Sequence, residues 1–521
     1  MKRFKRLSAI ILAAALLFSL AIPSLAADPV GMITMKDPAG NVKIDSTYKA
    51  YRVVAWNMSK LGSDVVYTDM ALTAAYKSTL INTLGGTLTA ASTDAEVLDA
   101  LSNVKDHLKM ATLAVELSKV PGQTPYTAAA GVFTGLPYGY YLVMETENKA
   151  NDGTVLSKPI LVSVPSKTDG AVNVSVTVKT STANVEKDIV LGEGPMTKTV
   201  KSAEKKIGDT VNFKLSATIP TYAANAENIT YYITDTLSKG LTLDLSSVVV
   251  TGADGAVIPA ASHYKASETV TAADTVLKID FEYAAIKDAG PLTIAYRATL
   301  NEKASIGSIG NPNSVTLTYS NNPGVGGNTY TTPKKHTLVF TTGIQLTKVD
   351  EHGAPLAGAT FGIFSDAACS NPIGFYTYKI TTDAQGTHIT TELEKNTTGQ
   401  ITTGDDGIAS FTGLIAGEYF IKEITAPAGY NLLKAPISVT IGVTLPSAII
   451  TGNETAAWTV SGENFTESSG TFKSNVINTK GFQLPGTGGM GTTLFILGGG
   501  SLLILACGLL FLYRKKNRTT S

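Results

Sequence analysis

The 521-residue chain carries 42 Lys and Arg against 42 Asp and Glu, and only 16% of its residues are charged. That balance gives no electrostatic case for nucleic acid as a partner. Its five histidines lack metal-ligand spacing, and no nucleophile or phosphate-loop motif is present. No metal, cofactor or catalysis on an external substrate is expected, so the protein is not read as an enzyme.

Met1 to Ala26 has the layout of a secretory signal. Lys2, Arg3, Lys5 and Arg6 precede an apolar stretch, Leu7 to Ile22, and Ser24-Leu25-Ala26 offers small residues for cleavage. Export is therefore expected. Of the two cysteines, Cys507 falls in a second apolar run, leaving Cys369 without a partner. An exported chain of this length without a disulfide needs another source of stability.

After the leader, apolar residues mostly alternate, as in Val172, Val174, Val176 and Val178, or Ile229, Tyr231 and Ile233. That is the period of half-buried strands, interrupted by Gly, Pro and Asn turns. The exception runs from about Met70 to Leu117, where Ala95 to Leu108 reads as helical. The expected fold is mostly β, a tandem of immunoglobulin-like sandwich modules with a helical insertion in the first. Phe133-Thr134-Gly135-Leu136, Gly139, Tyr141 and Glu145 recur in register as Phe411-Thr412-Gly413-Leu414, Gly417, Tyr419 and Glu423. The first and last modules are thus related. The boundaries read as 1–26 for the signal peptide, 27–178, 179–340 and 341–481 for three modules, and 482–521 for the C-terminal signal.

Four polar residues lie on apolar faces. Lys187 is in phase with Val185 and Ile189, and Lys348 with Ile344 and Leu346. Asp235 follows Ile229, Tyr231 and Ile233, and Asn313 leads Val315, Leu317 and Tyr319. Lysine and aspartate are seldom buried unpaired, because an isolated buried charge costs several kcal/mol. Burial makes a lysine shed its proton and an acid keep one. A neutral amine beside an acid-polarised asparagine can form an amide, expelling ammonia and removing the buried charge.

At the C-terminal end, Leu484-Pro485-Gly486-Thr487-Gly488 precedes a run of roughly 20 apolar or glycine residues, Leu494 to Tyr513, long enough to span a bilayer. Arg514, Lys515, Lys516 and Arg518 follow and would stay cytoplasmic. This three-part end resembles the cell-wall sorting signal read by sortases. The resemblance implies cleavage between Thr487 and Gly488, a threonyl thioester on the sortase, and resolution by an amine.

Val172 to Lys179 resembles the pilin motif of Gram-positive backbone pilins, in which alternating valines lead to a lysine. The usual Tyr-Pro is here Thr177-Val178. Lys179 would be the polymerising amine, on the polar face at a module junction, with Lys187 and Lys167 as alternatives. The middle and last modules are similar to pilin and collagen-adhesin (Cna-type) domains with internal isopeptide bonds. That similarity implies Lys187, Asn313 and the catalytic acid Asp235 in the middle module. In the last, Tyr419, Glu423, Ala426-Pro427 and Gly429-Tyr430 match the E-box, which implies Glu423 as acid, Lys348 as nucleophile and Asn478 as acceptor, with Asn475 the alternative. In the first module Glu145 repeats the acid, Lys36 is the candidate lysine, and Asn173 the candidate asparagine. The implied role is the structural backbone of a covalent pilus, with a pilus sortase, a housekeeping sortase, other copies of itself, peptidoglycan and ancillary pilins as partners. Display would be on the cell wall, with the membrane met transiently. The alternative is a wall-anchored adhesin or ancillary pilin displayed singly and binding a host ligand.

Overall fold

The computed structural model describes residues 29–61, 64–150, 152–166, 171–223, 226–322, 328–383, 386–480 and 490–516. The signal peptide, Lys167 and the pentapeptide Leu484 to Gly488 lie outside the described residues.

The described residues fold around three hydrophobic cores. In the first module, strand Val30–Lys36 pairs antiparallel with Val132–Pro137 and parallel with Asn173–Thr177. A second sheet orders Asp64–Leu72, Ser46–Leu61, Gly139–Asn148 and Ile160–Val164. The helical insertion has three helices, Lys77–Leu84, Asp94–Ser102 and His107–Ser118, while Met70 to Leu72 belong to a strand. Ala95 to Leu108, expected as helical, breaks between Ser102 and His107 because Asp106 caps a new helix. Thr93 and Glu96 form a reciprocal capping box, and the Leu108 N–H then donates to the Asp106 carboxylate at 2.8 Å. Leu80, Val97, Leu113 and Leu117 press the helices onto the module core.

The middle module is a two-sheet sandwich. One sheet orders Lys198–Val200, Val185–Leu191, Thr210–Ala217, Leu292–Leu300 and Leu241–Thr251. The other runs Ser202–Glu204, Lys335–Phe340, Asn311–Asn322, Tyr231–Ser238, Asp274–Phe281 and Tyr264–Val270, with Asn328–Thr331 added on Asn311–Asn322. Inward positions alternate along Val185–Leu191 and Tyr231–Ser238, so Val185, Lys187 and Ile189 face in together, as do Tyr231, Ile233, Asp235 and Leu237.

In the last module the first strand, Thr342–Val349, lies parallel to the last, Thr471–Ile477, in one sheet. The facing sheet orders Gln400–Thr402, Thr360–Phe364, Gly417–Thr425, Ile437–Thr444 and Ala457–Ser461. Hydrogen bonds tie the modules to one another. The Tyr319 hydroxyl donates to Gly153 O at 2.6 Å, and the Ala416 N–H donates to the Glu204 carboxylate at 2.8 Å. Helix Met490–Lys516 contains the one segment among the described residues, Ile496–Arg514, long and apolar enough to cross a membrane.

Candidate cross-link sites

Lys187, Asp235 and Asn313 are each fully buried and converge across the middle sandwich. Asp235 and Asn313 stand on adjacent strands, with Leu237 opposite Asn313 and Asp235 opposite Val315. Lys187 reaches them from the other sheet. Its Nζ donates to Asp235 Oδ2 at 2.6 Å and to the Tyr296 hydroxyl at 2.7 Å. Tyr296 donates to the same Asp235 oxygen at 2.6 Å and accepts from Asn313 Nδ2 at 2.8 Å. Amine, acid and amide therefore meet on one phenolic oxygen. Asp235 Oδ1 and Asn313 Oδ1 remain without hydrogen-bond partners.

Burial pushes the Lys187 ammonium down to about 8, with the Asp235 charge opposing it. The ring of Phe213 lies 4.8 Å from Nζ, supplying an apolar wall with a weakly attractive face. Burial, followed by the Asp235 charge, drives the Tyr296 hydroxyl well above its ordinary value, so it stays a neutral donor. Tyr296 was not singled out in the sequence. Its only signal is a tyrosine in phase with Leu292, Ile294, Ala298 and Leu300, a buried phenol that must find a partner.

The last module builds its set differently. Lys348 is fully buried and donates to Val476 O at 2.7 Å, its neighbour on the parallel strand. Asn478 is buried one residue past that strand, and its Nδ2 donates to Glu423 Oε1 at 2.9 Å. Glu423 Oε2 accepts from the Leu433 N–H at 2.8 Å, which fixes the carboxylate. Here the acid holds the amide, and a backbone carbonyl holds the amine. Burial moves the Lys348 ammonium down to about 8, against the pull of Glu423. Asn475, the alternative acceptor, points to solvent. Tyr419 closes the turn before the acid's strand by donating to Ile415 O at 2.7 Å.

The first module does not assemble such a set from the residues expected of it. Glu145 is buried, but Lys36 is only half-buried and Asn173 is exposed. Lys179 is exposed, two residues beyond strand Asn173–Thr177, where the first module passes into the second. Lys187, its alternative as an acceptor, is fully buried and out of reach of another macromolecule. Among the described residues no group of His, Cys, Asp and Glu could hold a metal ion.

Residues 207–323 match a family model described as Gram-positive pilin backbone subunit 2, Cna-B-like domain. Residues 342–455 match the SpaA prealbumin-like fold domain. The trypsin-resistant surface T6 protein of Streptococcus pyogenes serotype M6 is 25% identical over 470 residues, covering 76% of this chain and 79% of that protein. The solved T6 backbone pilin of serotype M6 S. pyogenes, described as a modular three-domain structure, aligns with a TM-score of 0.52 at 20% identity. That alignment covers 88% of this chain and 100% of the solved one, and it shows a shared fold. The chain is homologous to the T6 backbone pilin, and two of its three modules match domain models, one of a Gram-positive pilin backbone subunit and one of the SpaA prealbumin-like fold.

Proposed function

We propose that the protein is the backbone subunit of a covalent surface pilus, joined subunit to subunit by a sortase and stiffened by self-formed isopeptide bonds. The observation that carries this reading is the pair of buried lysine, acid and asparagine sets, beside an exposed lysine where the first two modules meet. Buried charges are a poor way to stabilise a sandwich, and apolar residues of similar volume serve as well or better. Their presence twice, with an asparagine each time, is explained if the charge is consumed.

In the middle module the proton on Lys187 Nζ passes to Asp235 along their 2.6 Å contact, leaving a neutral amine. The protonated carboxyl supplies the donor that Asn313 Oδ1 lacks and so polarises the amide carbonyl. Nζ attacks Cγ, the new C–N bond forms as the Cγ–Nδ2 bond breaks, the acid's proton leaves with ammonia, and the Asp235 carboxylate takes up the proton that Nζ sheds. Tyr296 holds amine, acid and amide at one oxygen. In the last module Lys348 attacks Asn478 with Glu423 as the acid. Between subunits, the Thr487 carbonyl is transferred through a sortase thioester to the Lys179 amine of the next copy, and the finished fibre is passed to peptidoglycan by a housekeeping sortase.

Wall extracts of the native organism, boiled in detergent and reductant and probed for this chain, test the polymer. A ladder of multimers is expected, reduced to monomer by Lys179→Arg. A single wall-linked band would overturn the backbone reading in favour of a singly displayed adhesin. A ladder that survives Lys179→Arg would move the acceptor to another lysine.

A further inference from the structure

The first module repeats the backbone frame of the last, hydrogen bond for hydrogen bond. In the last module Lys348 N–H donates to Gly407 O at 2.7 Å, and Lys348 O accepts from Leu356 N–H at 2.8 Å. Val349 O, one residue on, accepts from Asn478 N–H at 3.0 Å. In the first module Met35 N–H donates to Gly131 O at 2.8 Å, and Met35 O accepts from Lys43 N–H at 2.9 Å. Lys36 O then accepts from Val178 N–H at 2.9 Å. Single bridges between Lys36 and Val42, and between Val349 and Pro355, hold the same register. Met35 therefore stands where Lys348 stands, and Val178 where Asn478 stands. Both are fully buried.

The acid has stayed. Glu145 pairs with Tyr48 as Glu423 pairs with Phe361. Glu145 Oε2 accepts from Ser157 N–H at 2.7 Å, the counterpart of Leu433 N–H on Glu423. The second oxygen differs. Glu423 Oε1 receives Asn478 Nδ2, whereas Glu145 Oε1 is buried without a hydrogen-bond partner. The Tyr48 hydroxyl beside it is likewise unpartnered. A buried carboxylate oxygen that meets no donor in good geometry destabilises the fold, although the Tyr48 phenol beside it feels the Glu145 charge. The empty oxygen is the one an asparagine at position 178 would fill.

We propose that the first module carries a vacated isopeptide site, with its acid retained and its amine and amide replaced by Met35 and Val178. The module forms no internal cross-link, and two substitutions restore the reaction. Met35→Lys places an unbranched chain of similar length where an amine is needed, and Val178→Asn supplies the carbonyl. The new lysine Nζ would bond to the new asparagine Cγ as the Cγ–Nδ2 bond breaks, releasing one ammonia. The proposal rests on the reading that the other two modules cross-link by the same chemistry.

The test is intact mass and peptide mapping of the full chain, purified in detergent. The wild type should lack two ammonia, with the Met35 and Val178 peptides unlinked. M35K/V178N should lack three and yield a branched peptide joining positions 35 and 178, and adding Glu145→Gln should return the count to two. A wild-type chain already cross-linked in its first module overturns the proposal, as does a folded double variant lacking only two. Val178→Asn alone guards against a double variant that fails to fold. It should make the first module harder to proteolyse by giving Glu145 Oε1 a donor, and no gain would overturn the placement. A wild type that has lost no ammonia would instead overturn the reading of the other two modules, leaving the single variant to decide this one.

Discussion

Replacing Asn478 by alanine takes away the proposed acceptor of the last module and leaves both of its partners buried. Lys348 and Asn478 close a loop of roughly 130 residues, and in the chain-entropy picture a cross-link over such a loop stabilises by about 5 kcal/mol. Glu423 Oε1 also loses the 2.9 Å bond from Asn478 Nδ2. A buried acceptor left empty costs a further ~1–3 kcal/mol. For a module of this size each kcal/mol lowers the unfolding temperature by about 2–4 °C, so a drop near 20 °C is expected in calorimetry. Intact mass should equal that of the Asn478→Ala sequence less one ammonia, the one lost in the middle module, and trypsin should enter the last module. Asn475→Ala is the control, since that side chain faces solvent. If Asn478→Ala still lacks the ammonia, or unfolds where the wild type does, the assignment of the acceptor is wrong.

In the middle module, Tyr296→Phe removes the oxygen shared by Lys187, Asp235 and Asn313 but spares the Lys187–Asp235 contact. Bond formation should slow rather than stop, read as the fraction of chains retaining the ammonia at fixed times after refolding, and an unchanged time course would remove Tyr296 from the site. In Asn313→Ala, Lys187 persists as an amine whose folded pKa of about 8 lies below its ordinary 10.5. The unfolded chain then binds the extra proton, so stability should rise as pH climbs from about 8 to 10.5, and a flat difference from Asn313→Ala/Lys187→Met would refute it. Stretching single pili by atomic force should show no module-sized unfolding steps. About 50 of the residues between Lys179 and Thr487 lie outside the two closed loops, a reach of at most ~180 Å. An Asn313→Ala/Asn478→Ala fibre should add steps on the order of 400 Å, and such steps in the wild type would count against both bonds.

Much of this arrangement was legible from alternation alone. Lys187, Asp235, Asn313 and Lys348 sit on the inward phase of their strands, and the structure buries all four. The same phase runs through Phe472, Ser474 and Val476 to Asn478, although the strand itself ends at Ile477. Its continuation depends on the Val349 carbonyl of a parallel partner some 130 residues away, which no local pattern encodes. Lys36 shows the converse. It is one residue from the position equivalent to Lys348, and a shift of one residue sends a side chain to the other face. Tyr296 hid among ordinary core aromatics, because its role comes from three groups on other strands.

The vacated site and the two filled ones divide the chain along the route that tension would take. If Lys179 receives the previous subunit and Thr487 is given to the next one, force enters after the first module and leaves beyond the third. Everything before Val178 then hangs beside the load. Between those points lie the two modules with buried lysine, acid and asparagine, and before them lies the one where the same frame holds Met35 and Val178. A cross-link resists extension only in a segment under tension. In a module that bears none, its remaining benefit is thermodynamic, and a core of this size can obtain that by packing a thioether and an isopropyl group. The cost of reversion is small there, since no buried ammonium has to be neutralised. What remains is Glu145, held by the Ser157 N–H with its other oxygen unpartnered. If the two buried sets cross-link, their distribution follows from where the chain is joined to its neighbours, and Lys179 is then the position that decides which modules need them.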